Sequence, residues 1–195
     1  MNDNISDSFR LVITGNPGVG KHTTAVELRK VLDLVVIDIN DLAVQDHAFL
    51  QTPNPEIDSR RIARIIESRL SESKRSVVVG HLAPYVLKKE WIDLTIVLRK
   101  SPYAIVRTLE NRKYSAEKIR ENVASEILGI IMYDSVQRFG KEKIAELDTT
   151  LSTSAETCEK IISIIEGKMN RKIGVVDWLS LVHERGDVGR FLEYT

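Results

Sequence analysis

Residues Gly15-Asn16-Pro17-Gly18-Val19-Gly20-Lys21 end a short apolar run and open a helical pattern, and no other stretch constrains the chain as much. Phe9 to Thr14 reads as a buried β-strand rich in Leu, Val and Ile, and Thr24 to Leu32 reads as a helix. The spacing from Gly15 to Gly20 and Lys21 is that of a phosphate-binding loop. There the glycines let the main chain curl so that successive N–H groups point at a phosphate, and the helix N-terminus adds the positive end of its dipole. Lys21 would reach the outer phosphate oxygens as a point charge. Tight packing alone also produces glycine-rich turns, but it leaves the lysine and the spacing without a reason. One position departs from the pattern. Ser or Thr is expected after the lysine to hold Mg²⁺, and this chain has His22, with Thr23 one step later.

A length of 195 residues fits one main domain with a short appendage. Lys+Arg and Asp+Glu are both 28, so no global field draws the chain to nucleic acid or membrane, although a local basic patch stays open. Cys158 is the only cysteine, which excludes an internal disulfide and a cysteine metal cluster. Met1 to Ser8 is polar and acidic, unlike a secretory signal, and no apolar run approaches membrane-spanning length. The expectation is a cytoplasmic, monomeric enzyme.

Five apolar runs alternate with helical patterns, which predicts a parallel α/β sheet. The expected strands are Phe9–Thr14, Leu34–Ile37, Ser76–Val79, Leu94–Leu98 and Ile144–Leu147. Pro53 and Pro55 break the segment after the second strand, and Ile57-Asp58 open a helix carrying Ile62, Ile65, Ile66 and Leu70. Ser101-Pro102 start a helix to about Asn111. Ser115 caps a long helix through Ile119, Val123, Ile127 and Ile131. A further helix spans Ser154 to Met169. This places a P-loop domain at residues 9–168, followed by a basic linker and a C-terminal extension at 169–195 with two short helices split by Gly186. Trp178 and Phe191 either pack back on the core or present a partner surface.

Ligands of open parallel sheets sit beyond the carboxyl ends of the strands. The P-loop falls there, as do Asp38, Asp41, Gly80-His81, Arg99, Lys100 and Asp148-Thr149-Thr150. Phosphoryl transfer needs dispersed positive charge around the moving group, which makes Arg99, Arg107 and Arg112 candidates. Each also reads as a solvated helix-end arginine, and the same holds for Arg60, Arg61 and Arg64 on a basic helix face. His81 either orients a water or hydroxyl or is a structural histidine. Asp38 reads equally as a metal-site acid and as a strand-end turn carboxylate.

On these residues the chain resembles the adenylate kinase isoenzyme 6 family, small kinases tied to ribosome assembly, in its archaeal form. The likeness covers roughly residues 9–168. It rests on the loop Gly15 to Lys21, Asp41-Leu42-Ala43, Val97-Leu98-Arg99, Asn111-Arg112-Lys113-Tyr114 with Asn122 and Glu126, and Glu146-Leu147-Asp148-Thr149-Thr150. The resemblance implies a nucleoside monophosphate kinase core with a short lid near Asn111 to Ala124 and a monophosphate-binding segment near Asp38 to Glu56. It implies ATP + AMP ⇌ two ADP with Mg²⁺, ATPase activity, a role in small-subunit rRNA maturation and a small-subunit ribosomal protein partner. By position, Gly15, Gly18, Val19, Gly20, Lys21, His22 and Thr23 would bind the ATP phosphates. Arg112 would be the lid arginine, and Thr149-Thr150 would lie where the adenine loop passes. Lys21, Arg112, Arg99 and His81 are the expected catalytic set, with Asp41 and Arg60 on the acceptor side.

Three departures from the family all touch metal or acceptor handling: His22, Val44 in place of an acceptor-phosphate arginine, and Gly80 in place of an acid before His81. An ATP-driven assembly switch with vestigial kinase activity therefore stands beside the kinase, as does a kinase of another small acceptor. A signalling GTPase does not, because no Asn-Lys-x-Asp follows an apolar strand.

Overall fold

Alternating side-chain faces along five short strands dictate a sheet buried on both sides, and a computed structural model describing residues 8–49 and 57–193 shows it. The strands are β1 (Phe9–Thr14), β2 (Val35–Asp38), β3 (Arg75–Val79), β4 (Leu94–Arg99) and β5 (Ile144–Asp148). All pairings are parallel, in the order β2-β3-β1-β4-β5. Each lies within a residue of its expected bounds. Leu11 and Ile13 of β1 face one helical layer, and Val12 between them faces the other.

The first layer holds α1 (Lys21–Leu32), α5 (Pro102–Asn111), α6 (Ala116–Ile127) and α8 (Ser154–Ile165). The opposite layer holds α2 (Ile39–Gln45), α3 (Ser59–Glu72), α4 (Ala83–Val86) and α7 (Ile130–Phe139). Because β1 is central, with β3 on one side and β4 on the other, the chain reverses its winding beside the end of β1. That puts a crevice above the P-loop.

Two helices differ from the sequence reading. The long helix expected from Ser115 through Ile131 stops at Ile127, because Gly129 takes a left-handed conformation (φ 66°) and α7 starts afresh. The helix expected to reach Met169 ends at Ile165, where the amides of Lys168 and Met169 turn back onto the Ser163 carbonyl. Pro53 and Pro55, the end of the expected monophosphate segment, and the stretch preceding Ser8 lie outside the described residues.

The C-terminal extension forms α9 (Trp178–Glu184) and α10 (Val188–Leu192), separated around Gly186. Trp178, Val182 and Phe191 join the core cluster of the first layer. The Phe191 ring meets Tyr103 of α5 edge-on at 5.4 Å, and the Tyr103 hydroxyl donates to Asp187 at 2.7 Å. Of the two readings of these aromatics, packing on the core is the one realised. No helix among the described residues is long and apolar enough to cross a membrane.

Candidate active site

Gly15 begins the loop with φ 136°, and a Cβ there would sit 2.3 Å from the Leu98 carbonyl oxygen, so β4 leaves no room for a side chain. Gly20 is the N-cap of α1 at φ 100° with no side-chain cap, which leaves the first-turn amides of the helix open to a ligand. Around them lies a cleft of about 370 Å³ lined by Pro17, Gly18, Gly20, Lys21, His22 and Thr23. Asp38, Asn40, Val79, Gly80, His81, Arg112 and Tyr114 complete the lining. The P-loop, the ends of β2 and β3 and the turn after α5 thus meet in one place.

The Lys21 ammonium donates to the Asn16 carbonyl at 2.9 Å. Burial lowers its pKa to about 8, Asp38 and Glu126 oppose that shift, and the Arg112 charge adds to it. Arg112 therefore acts on the same space as Lys21, from the C-cap of α5. His81 is held near pKa 4 by burial and by the neighbouring Lys21 charge, with Asp38 opposing, so its imidazole is neutral at pH 7. A neutral ring there can both accept and donate a hydrogen bond.

Of the two roles left open by the sequence, Asp38 takes that of the strand-end turn carboxylate. Its Oδ1 caps α2 through the amides of Asn40 (2.9 Å) and Asp41 (3.3 Å), while Oδ2 lies 3.2 Å from His22 Nδ1. The cleft offers hard oxygen donors, Thr23 and Asp38, that suit Mg²⁺, whereas the His22 imidazole suits it poorly. Among the described residues no three His, Cys, Asp or Glu side chains gather to hold a metal. A cation here would lean on phosphate oxygens and water, as Mg²⁺ commonly does. Gly80 also has a local reason. A Cβ there would lie 2.9 Å from Ile39, so the start of α2 occupies the space of an acidic side chain.

Five candidate residues are placed elsewhere. Arg99 is 6% exposed and does not line the cleft. Its Nε donates to Glu126 at 2.7 Å, one terminal nitrogen donates to Glu146 at 2.6 Å and the other to the Glu126 carbonyl at 2.8 Å. With all three of its nitrogens engaged and the group buried away from the cleft, this guanidinium braces two carboxylates, in place of the catalytic role expected. Thr149 is also buried, with its hydroxyl 2.9 Å from the Val19 and Arg99 carbonyls, so it braces the loop from beneath instead of touching nucleotide in the cleft. Arg60 is exposed in the first turn of α3, outside the cleft lining. Asp41 lines a neighbouring groove with Val26, Arg29 and Leu42, which shares only His22 and Asp38 with the cleft. Arg107 lies outside the cleft lining as well.

The sequence reading gave no role to the side chain beneath the loop. Glu126, fully buried, accepts from Asn16 Nδ2 at 2.8 Å, Trp178 Nε1 at 3.1 Å and the Lys100 amide at 3.1 Å, besides Arg99. Its signal was a carboxylate placed inside the apolar stripe of α6, between Val123 and Ile127 at helical spacing.

Fold and cleft define a P-loop phosphotransferase. An AAA domain family matches residues 11–129. A Pyrococcus abyssi protein named "Putative adenylate kinase" is 34% identical over 89% of this chain and 93% of its own length. A Methanocaldococcus jannaschii protein of the same name is 35% identical over 87% and 93%. The chain belongs to this family of P-loop kinases. Among solved structures, the fold is similar to shikimate kinase from Acinetobacter baumannii in complex with shikimate, with a TM-score of 0.61 at 13% identity, covering 84% of this chain and 96% of that one. A gluconokinase from Sinorhizobium meliloti follows with a TM-score of 0.56 at 14% identity, over 82% and 93%.

Proposed function

We propose that the chain is an ATP-dependent nucleoside monophosphate kinase of adenylate type, converting ATP and AMP to two ADP. The observation that carries this reading is the convergence of Lys21, the open first-turn amides of α1 and Arg112 on one cleft. The relatives that bear the adenylate kinase name support the choice of acceptor.

In this reading the loop amides from Gly15 to Thr23 cradle the β-phosphate and Lys21 moves from the Asn16 carbonyl to the β/γ-oxygens. Arg112 closes over the γ-phosphoryl group with the lid, adding charge and excluding water. The bond from γ-phosphorus to the bridging oxygen breaks, and one to an AMP phosphate oxygen forms. Neutral His81 orients the acceptor or an ordered water from the end of β3. Thr23 and Asp38 would hold Mg²⁺, which would supply neutralisation of the phosphate charge. A coupled assay of ADP formation from ATP and AMP tests the proposal. AMP-dependent turnover is the expected result, and none at high enzyme concentration would remove it.

A second reading has its own observation. Val44, where an acceptor-phosphate arginine is expected, is 63% exposed, and Arg112 is the one arginine lining the cleft among the described residues. With the acceptor side so bare, water becomes the competing acceptor. The chain then acts as an ATPase coupled to small-subunit maturation through a ribosomal protein, as the family resemblance implies. AMP-independent phosphate release and nucleotide-dependent capture of a small-subunit ribosomal protein are its expected results. Capture indifferent to nucleotide would count against it.

A further inference from the structure

We propose that the C-terminal extension is a working part of the nucleotide site, with Trp178 and Glu126 as positioning residues that fix the Asn16 side of the phosphate loop. The inference rests on the nucleotide-binding reading above and adds to it a part of the chain far along the sequence. Trp178 heads α9 in the extension, and its indole Nε1 donates to Glu126 Oε1 at 3.1 Å. The other oxygen of that carboxylate accepts from Asn16 Nδ2 at 2.8 Å. The Asn16 carbonyl in turn holds Lys21 Nζ at 2.9 Å and faces the Val19 amide at 3.5 Å. A line of contacts thus runs from the extension through Glu126 and both ends of Asn16 to the lysine that meets phosphate.

The chain is built to hold position. Glu126 is fully buried and Asn16 is 4% exposed, so water cannot replace either partner. Glu126 also sits at the base of the lid helix α6, one turn before the Gly129 break, and accepts the Lys100 amide after β4. Its four donors come from the P-loop, from β4 and its following residue, and from the extension. A second strut repeats the link. Glu146 Oε2 accepts the Val175 amide at 2.9 Å while Oε1 holds Arg99. The negative charge of Glu126 reaches Lys21 electrostatically and favours its ammonium form. When Lys21 leaves the Asn16 carbonyl for phosphate, Asn16 loses one of its restraints, and the change reaches Trp178 through the shared Glu126 carboxylate.

Trp178 reports on itself. In the 195-residue chain carrying Trp91→Phe, which removes the second tryptophan at the far, amino edge of the sheet, ATP is titrated while emission is followed, with calorimetry in parallel. The expected result is a Trp178 emission change that saturates at the ATP concentration where calorimetry saturates. Emission that stays flat while calorimetry records binding overturns the inference and leaves the function reading standing. Absence of ATP binding by calorimetry overturns both. The Trp178→Phe variant keeps an aromatic ring and removes the donor. It is expected to raise the ATP KM about five- to tenfold with kcat within about twofold, since a hydrogen bond to a charged acceptor is lost. The control Leu179→Ala, at an exposed position of the same helix, is expected to leave KM unchanged. An unchanged KM in folded Trp178→Phe, or an equal rise in the control, overturns the positioning role.

Discussion

Two charged clusters lie side by side at the carboxyl edge of the sheet, and they are finished in opposite ways. In the knot of Arg99, Glu126 and Glu146, every charge has its partner within 2.6–2.7 Å and water is shut out. In the cleft above, Lys21 has a single carbonyl, the α1 amides have no side-chain cap, and Arg112 sits at an exposed helix end. Strand-end charge by itself therefore does not mark a reactive group. What marks it is an unspent donor facing open space, and Asn16 joins the two clusters by belonging to both.

Breaking the closed cluster should cost the most, and should cost it in stability. Arg99→Met leaves two buried carboxylates facing each other without their cation. A loss of about 3–5 kcal/mol is expected, read from the urea midpoint. A midpoint unchanged in that variant would mean that the knot is not the anchor it looks. In the open cluster the effect should fall on chemistry. Lys21→Ala should lower turnover by about 10²–10³-fold with an unchanged circular dichroism spectrum, because a desolvated cation is removed from a site that supports no packing. Equal ATP affinity and turnover in that variant would erase the contrast between the clusters.

Proton linkage sharpens the same comparison. Free Lys21 has a pKa near 8 and phosphate binds its charged form, so affinity is full below pH 8 and declines above it. The ATP dissociation constant should weaken about tenfold from pH 7 to pH 9, measured by calorimetry in buffers of matched ionic strength. The smallest effect concerns His81. Its folded pKa near 4 lies below the ordinary 6.5, so the unfolded chain takes up a proton first as pH falls. Stability should therefore drop between pH 6.5 and 4, and His81→Gln should flatten that part of the melting-temperature profile. A profile of the same steepness in the variant would place the acid sensitivity elsewhere.

How far the sequence carried depends on the kind of information each feature uses. Strands and the phosphate loop were readable because local pattern decides them: Leu11, Val12 and Ile13 alternate faces, and Gly15 and Gly20 punctuate. The break between α6 and α7 was missed because Ile127 and Ile131 keep helical spacing across Gly129, and the periodicity outweighed a single glycine. Arg99 was misjudged for a different reason. Position at a strand end says which edge a residue occupies, but not that two glutamates 27 and 47 residues away will claim it. Long-range pairing of this sort has no local signature beyond a carboxylate in an apolar stripe. Thr149 shows the same limit, since only the fold reveals that its hydroxyl meets Val19 across 130 positions.

The outer rim of the sheet carries one more lesson. The amide of Glu146 in β5 donates to the Lys172 carbonyl at 2.7 Å, so the stretch after α8 lies along a strand that would otherwise finish the sheet bare. An unguarded rim invites copies of a protein to zip together. Shortening the polypeptide before Lys172 should accordingly turn a well-behaved molecule into one that clumps on concentration, even where each copy still folds.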